Sequence, residues 1–396
     1  MSINKLIIST EIQNFIKTHE NDDVVKLILK GSPFENVDIQ TIAQQIKGKQ
    51  VAKEKFPELY THHSIIYPPK LNLEQASSQI TATYKSKFIK PNESIIDLTG
   101  GFGIDSAAFS NVTEKVIYCE IINETFEFAN HNFKILNKNI TTYNGDGIEY
   151  LKKLDESFDW IFIDPARRDK HNHKVFRLED CLPNVLEYLD LFKSKTKRLL
   201  LKSSPLLDFH LCIKQIPQIT EVHIVAINNE VKELLLVIDF EKPEKSPTIQ
   251  AVNLQSFQQN FVVDYNKKEV QQSFSEPKSY LYEPNSAIMK SGFFGELCQQ
   301  YKLKAIAQHS HLMTSDHLID FPGRRFEIKK VITPQEKLLK KHLPDLKANV
   351  SCRNYPLKPN QIKAKYGIKD GGENYLFFTT NDKNQKIVLF CNKIRS

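Results

Sequence analysis

The stretch Ile95-Ile96-Asp97-Leu98-Thr99-Gly100-Gly101-Phe102-Gly103-Ile104-Asp105 constrains the fold of this chain more than any other. An apolar run passes into a glycine-rich turn, and the turn opens a helical pattern over residues 106–109. Glycines there let a ligand approach the backbone closely, and a helix start offers unpaired amide groups. A turn without any ligand uses glycine in the same way, so the motif needs its surroundings.

Those surroundings alternate short β-type runs with helical stretches. The runs cover 94–98, 116–120, 140–143, 160–164 and 198–202, each apolar on both parities. That pattern marks strands buried on both faces of a parallel sheet. Two further runs, 222–227 and 231–240, are separated by Asn228-Asn229-Glu230, a short Asn-rich connection that reads as an antiparallel hairpin. The expected class is α/β.

Acidic residues fall at successive strand ends. Asp97 closes the first run, Glu120 the second, Asp146 follows the third within Asn144-Gly145-Asp146-Gly147, and Asp164 closes the fourth. Ligands of open α/β sheets bind at this carboxyl edge, where an acid such as Glu120 accepts hydrogen bonds from ribose hydroxyls. The order is D-x-x-G-G-x-G, not G-x-G-x-x-G. A pyrophosphate above the loop would be repelled by Asp97, which makes a nicotinamide oxidoreductase a distant reading. A donor carrying an ammonium and a sulfonium, S-adenosylmethionine, suits the carboxylates. Asp146 is placed to accept the exocyclic amine of adenine; the same residue also reads as an Asx turn or helix cap. In Asp164-Pro165-Ala166-Arg167-Arg168, Asp164 is the candidate to orient or deprotonate an acceptor, and Arg167 and Arg168 to neutralise phosphate. Lys170, His171, His173 and Lys174 extend a basic loop; the histidines have no acid or thiol partner at metal-ligand spacing, and no metal is expected.

Taken together, Asp97–Gly103, Glu120, Asp146, Asp164-Pro165 and the hairpin resemble a class I S-adenosylmethionine-dependent methyltransferase. That resemblance covers about residues 72–240. Thr99–Asp105, Asp164–Arg168 and Tyr282-Glu283-Pro284-Asn285 are similar, more narrowly and over nearly the whole chain, to a group of bacterial RNA methyltransferases whose own substrate is unassigned. The resemblance implies a Rossmann-like class I methyltransferase sheet with an antiparallel last strand, an N-terminal helical segment and small α+β C-terminal domains, one ferredoxin-like and one THUMP-like. It implies donor binding by Asp97, Thr99, Gly100, Gly101, Gly103, Glu120, Asp146 and Asp164, chemistry at Asp164, Arg167 and Arg168, and RNA (rRNA or tRNA) as partner. The expected domains are 1–70 (helical), 71–242 (methyltransferase), 248–320 (ferredoxin-like) and 321–396 (THUMP-like, basic).

Charge supports the last assignment. Lys+Arg total 54 against Asp+Glu 47, yet residues 321–396 alone hold 17 basic and 6 acidic groups. Arg324, Arg325, Lys329, Lys330, Lys340, Lys341, Arg353, Lys363 and Lys365 are interleaved there with Tyr355 and Tyr366, a mixture suited to irregular RNA. A solvated basic surface is the plainer reading. None of the 6 Cys forms a C-x-x-C pair, and no Cys stands at the fourth or fifth strand end. Pyrimidine C5 methylation needs a Cys nucleophile, so N- or O-methylation is favoured. Cys119 reads as a strand residue, and Cys181 and Cys212 as helical, all three buried. Without a long apolar stretch or leader pattern, the chain is expected to be cytoplasmic. Methylation of a protein or small molecule, and a non-catalytic RNA-binding role with a degenerate site, remain as alternatives.

In local structure, helices are expected over 22–31, over 38–47 with Gly48 as a stop, from a cap at Asn72 to about Phe88, and over 286–301. Glu283 is a second acid/base candidate, and Pro284 is read as the first residue of the helix that follows it.

Overall fold

The computed structural model describes residues 5–167, 177–242, 246–265 and 270–394. Arg168, Lys170, His171, His173 and Lys174 lie outside the described residues, as does the side chain of Arg167. The chain divides into two compact units, Met1–Thr220 with Leu235–Lys245, and Glu221–Leu234 with Ser246–Ser396. No helix among the described residues is long and apolar enough to cross a membrane.

The first unit begins with helices Thr10–Thr18, Val24–Lys30, Ile39–Lys55, Pro57–Thr61, Lys70–Gln75 and Gln79–Ser86. Asp23 caps the second of these, and Gly31 at φ 79° ends it, as the acid-first, glycine-last pattern predicts. The third runs past its expected stop: Gly48 is buried inside the helix, and a Cβ there would lie 2.2 Å from Tyr67. Close packing, and not termination, is the reason for that glycine. The single helix expected from Asn72 is two, because Ser78 leaves helical geometry and caps the second by accepting the Thr81 amide at 3.2 Å. Ile12, Ile16, Ile42, Ile46, Phe56 and Leu73 share one buried cluster.

After these helices come β1 (Ile95–Asp97), β2 (Val116–Glu120), β3 (Thr141–Asn144), β4 (Phe158–Ile163), the two-residue β5 (Ala166–Arg167) and β6 (Cys181–Leu182), β7 (Thr196–Ser203), β8 (Ile219–Ile227) and β9 (Glu230–Asp239). Within the first unit the strand order is β9-β7-β4-β1-β2-β3. β4, β1, β2 and β3 are mutually parallel, as are β4 and β7. Phe240, just past β9, donates to Lys197 near the start of β7, so β9 enters antiparallel. Asn228 and Asn229 join β8 to β9 with φ 48° and 67°, the two left-handed residues of a tight hairpin turn. This is the parallel sheet with an antiparallel strand that the resemblance implies. β1 is buried throughout and β4 at five of its six positions, so each needed apolar residues on both faces. Cys181 lies in β6 and not in a helix; Cys212 is helical, within Phe209–Gln215. Both are buried.

The second unit contains most of β8 with β10 (Thr248–Leu254) and β11 (Phe261–Asp264); β10 pairs parallel to β8 and antiparallel to β11. Its other sheet comprises β12 (Tyr280–Pro284), β13 (Lys304–Ala305), β14 (Met313–Ser315), β15 (Gly323–Ile332), β16 (Asn349–Cys352), β17 (Asn374–Thr380) and β18 (Lys386–Lys393), ordered β13-β14-β12-β15-β18-β17-β16. One face packs Leu281, Phe326, Phe377 and Leu389 with Ile306 and Leu312. The helix expected over 286–301 is broken at Gly292, φ 79°, into Ser286–Ser291 and Phe294–Tyr301. Pro284 closes β12, and Asn285, not Pro284, starts the first of them as its cap.

Candidate active site

The site grows from one glycine turn and its neighbour strand. Gly100 lies against the ring of Tyr118, where a Cβ would come within 2.0 Å. Its amide donates to the Cys119 carbonyl at 2.8 Å. The Tyr118 hydroxyl donates to the Gly101 carbonyl at 2.6 Å, and Glu120 Oε2 accepts the Gly101 amide at 2.8 Å. Three consecutive residues of β2 thus hold both glycines of the turn. Gly101 has φ 55°, a conformation that favours glycine. A Cβ on Gly101 would meet only the Thr99 carbonyl, 3.9 Å away. The turn is therefore fixed from behind and open in front. Gly103, φ 82°, packs against Phe133 and starts helix Ile104–Phe109.

The four acids lie at the carboxyl ends of adjacent strands. Asp97 ends β1 and is fully buried; it accepts from the Ser106 hydroxyl at 2.6 Å and the Thr99 amide at 3.1 Å. Burial pushes its carboxyl up to about 8, against the pull of the Ser106 hydrogen bond; the nearby Asp105 and Asp164 charges push the same way as burial. Glu120 ends β2, its second oxygen accepting the Ile122 amide at 2.7 Å. Each Glu120 oxygen keeps a further lone pair. Asp146 follows β3 and caps helix Gly147–Lys153, Oδ1 accepting from the Ile148 and Glu149 amides. The cap is thus the role the geometry gives Asp146. Asp164 follows β4; its amide donates to the Thr99 hydroxyl at 2.7 Å, so Thr99 joins the β1 turn to the β4 end.

Lys202, Ile121 and Ile122 escaped the sequence reading. Lys202, on β7, ion-pairs with Asp164 and is nearly buried. Its position at the fifth strand end was the available signal, but nothing in sequence spacing relates it to a residue 38 positions earlier. Ile121 and Ile122 directly follow Glu120 with relative exposures of 65% and 58%, an apolar surface beside that carboxylate. Below the turn, the fully buried Lys85 pairs with Asp105 at 3.1 Å and donates to Ser77 at 3.1 Å.

Arg167 lies in β5, paired with Cys181 in register. Glu283 is in the second unit and is occupied: Oε1 accepts from Arg353 at 2.8 Å, and Oε2 binds Arg324 through its Nε at 2.5 Å. Both of its oxygens are thus taken up by arginines of its own unit. Burial raises the Cys119, Cys212, Cys298 and Cys391 thiols above their ordinary value.

Residues 280–322 match the model of a ferredoxin-like domain, and residues 323–393 that of a THUMP domain-like family. The chain is similar along its whole length to the crystal structure of a "putative methyltransferase" from Porphyromonas gingivalis W83, with 30% identity, a TM-score of 0.89 and 100% of both chains covered. Over 106 residues it is 33% identical to an uncharacterised RNA methyltransferase of Mycoplasma mobile, a match spanning 26% of this chain and 29% of that relative.

Proposed function

This chain belongs to the family of the Porphyromonas gingivalis protein, and on that premise we propose that it is an S-adenosylmethionine-dependent methyltransferase whose acceptor is ribosomal or transfer RNA. The observation that carries the reading is the turn held from behind by Tyr118, Cys119 and Glu120 and open at Gly101, with acids at four neighbouring strand ends. The donor supplies an activated methyl group on a positively charged sulfur. Asp97 supplies compensating negative charge, Gly101 lets the donor reach the backbone, and Glu120 offers its spare lone pairs to ribose hydroxyls. Ile121 and Ile122 provide apolar contact for a base face. In this reading Thr99, Gly100 and Gly103 shape the pocket, and Asp146 adds a polar contact through the oxygen its cap does not use.

At the acceptor side, Asp164 is the candidate base, held in place by Lys202 and Thr99. Arg167 and Arg168 are proposed to take a phosphate. The raised thiols of Cys119 and Cys212 support N- or O-methylation over attack by cysteine on a pyrimidine. The RNA-methyltransferase name of the Mycoplasma mobile relative, the THUMP-like match and the basic residues 321–396 support RNA as partner.

Mass spectrometry of rRNA and tRNA nucleosides from a deletion strain tests this. One methylated nucleoside should be missing, and purified protein with S-adenosylmethionine should restore it on the deletion-strain RNA. An unchanged nucleoside profile, with transfer seen instead to a protein or small molecule, would overturn the RNA assignment. No transfer to any acceptor would favour a non-catalytic protein.

A further inference from the structure

Glu283 sits on β12 directly opposite Arg324 on β15, and its side chain is 4% exposed. Arg353, just past β16, reaches the same carboxylate. One buried negative charge therefore anchors two guanidinium groups whose side chains are 36% and 39% exposed, leaving a net positive charge at their outer ends. Arg324 is held further by the Phe326 ring, 5.6 Å from its guanidinium carbon. Arg353 Nε is buried and has no hydrogen-bond acceptor among the described residues. His311 responds to the same charge: burial first, then Arg353 and His309, hold its pKa below the ordinary value.

Arg324 alone would tie β12 to β15 through Glu283; Arg353 brings a second guanidinium to the same carboxylate from just past β16. This second group raises the local positive charge, and its Nε has no acceptor among the described residues. Guanidinium is planar, stays charged and matches phosphate oxygens two at a time. Fixing two such groups from beneath removes most of the ordering cost of binding an anion. We infer that Arg324 and Arg353, oriented by buried Glu283, form a clamp for a backbone phosphate of RNA. The inference rests on RNA being the acceptor and gives Glu283 a positioning role in place of an acid/base role. It also singles out two residues from the basic set of 321–396: Lys329, Lys340 and Lys363 instead pair with surface acids.

The test uses the full chain and two probes, total tRNA and a fluorescein-labelled single-stranded oligoribonucleotide, titrated at several salt concentrations. For Arg324→Gln/Arg353→Gln, RNA affinity should fall about tenfold or more, and the slope of log Kd against log salt should drop by about one for each phosphate no longer bound. Arg324→Lys and Arg353→Lys keep the charge and the fold but lack the fork, and each should bind more weakly than wild type. S-adenosylmethionine binding and the thermal melt report folding in every variant. If wild type binds RNA and the folded double variant binds it with the same affinity and slope, the clamp is wrong while the RNA reading stands. If wild type binds neither RNA, both fail. If poly-L-glutamate displaces RNA from wild type but not from the double variant, the clamp takes an acidic peptide, and the phosphate assignment is overturned.

Discussion

Glu120 accepts the amide of Gly101 at 2.8 Å, so the end of β2 holds the glycine turn that follows β1. The carboxylate fixes the turn, and on the proposed reading its spare lone pairs take the donor's ribose hydroxyls. Glu120→Gln keeps the shape but replaces one acceptor oxygen by an NH2 group facing an amide N–H. It should cost about 1–3 kcal/mol in denaturant unfolding. Donor affinity measured by calorimetry should fall with it, and unchanged affinity would remove Glu120 from the binding site.

Gly100 and Gly101 should respond differently to alanine. At Gly100 a methyl group would overlap the Tyr118 ring, so Gly100→Ala should destabilise the first unit by several kcal/mol or prevent folding. Gly101→Ala meets no close neighbour and bears only the left-handed backbone penalty, about 1 kcal/mol. It should fold and melt near wild type while donor binding weakens, because the added methyl points into the open side of the turn. Melting curves of both variants, paired with donor titrations, check this.

Asp97 gives a pH dependence with a definite sign. Its carboxyl is raised to about 8 in the folded chain, against an ordinary value of 3.8. Its contribution to stability is therefore fully present below about pH 4 and is lost as pH rises through 8. Asp97→Asn should flatten that part of the stability–pH curve. A cationic donor favours the ionised form, so donor affinity should rise between about pH 6 and 8, and binding should release a proton. Calorimetry in two buffers of different ionisation enthalpy measures the proton count; no release would contradict the assignment of Asp97 to the donor.

Asp164 and Lys202 should separate chemistry from donor binding. Asp164→Asn and Lys202→Ala should lower kcat by on the order of 10² or more while leaving donor affinity within about threefold. An equal loss in both quantities would mean that the pair only shapes the donor pocket.

Much of this arrangement was legible in the sequence because it rests on local chemistry. The strand runs were apolar on both parities, the acids stood at run ends, and the asparagine pair at 228 and 229 named its own turn. Readings failed where a distant residue decided the outcome. Gly48 looked like a helix stop until Tyr67 supplied the close approach. Glu283 looked like an acid/base residue until Arg324 and Arg353, 41 and 70 positions away, occupied both its oxygens. Lys202 was invisible as the partner of Asp164 for the same reason: parallel pairing across a crossover leaves no fixed spacing.

Calorimetric titration of the purified chain with S-adenosylmethionine, repeated on Asp97→Ala, tests the central claim most directly. The account predicts one site per chain for wild type and no measurable heat for a folded Asp97→Ala. Absence of binding to wild type, or an undiminished signal in the variant, would contradict it.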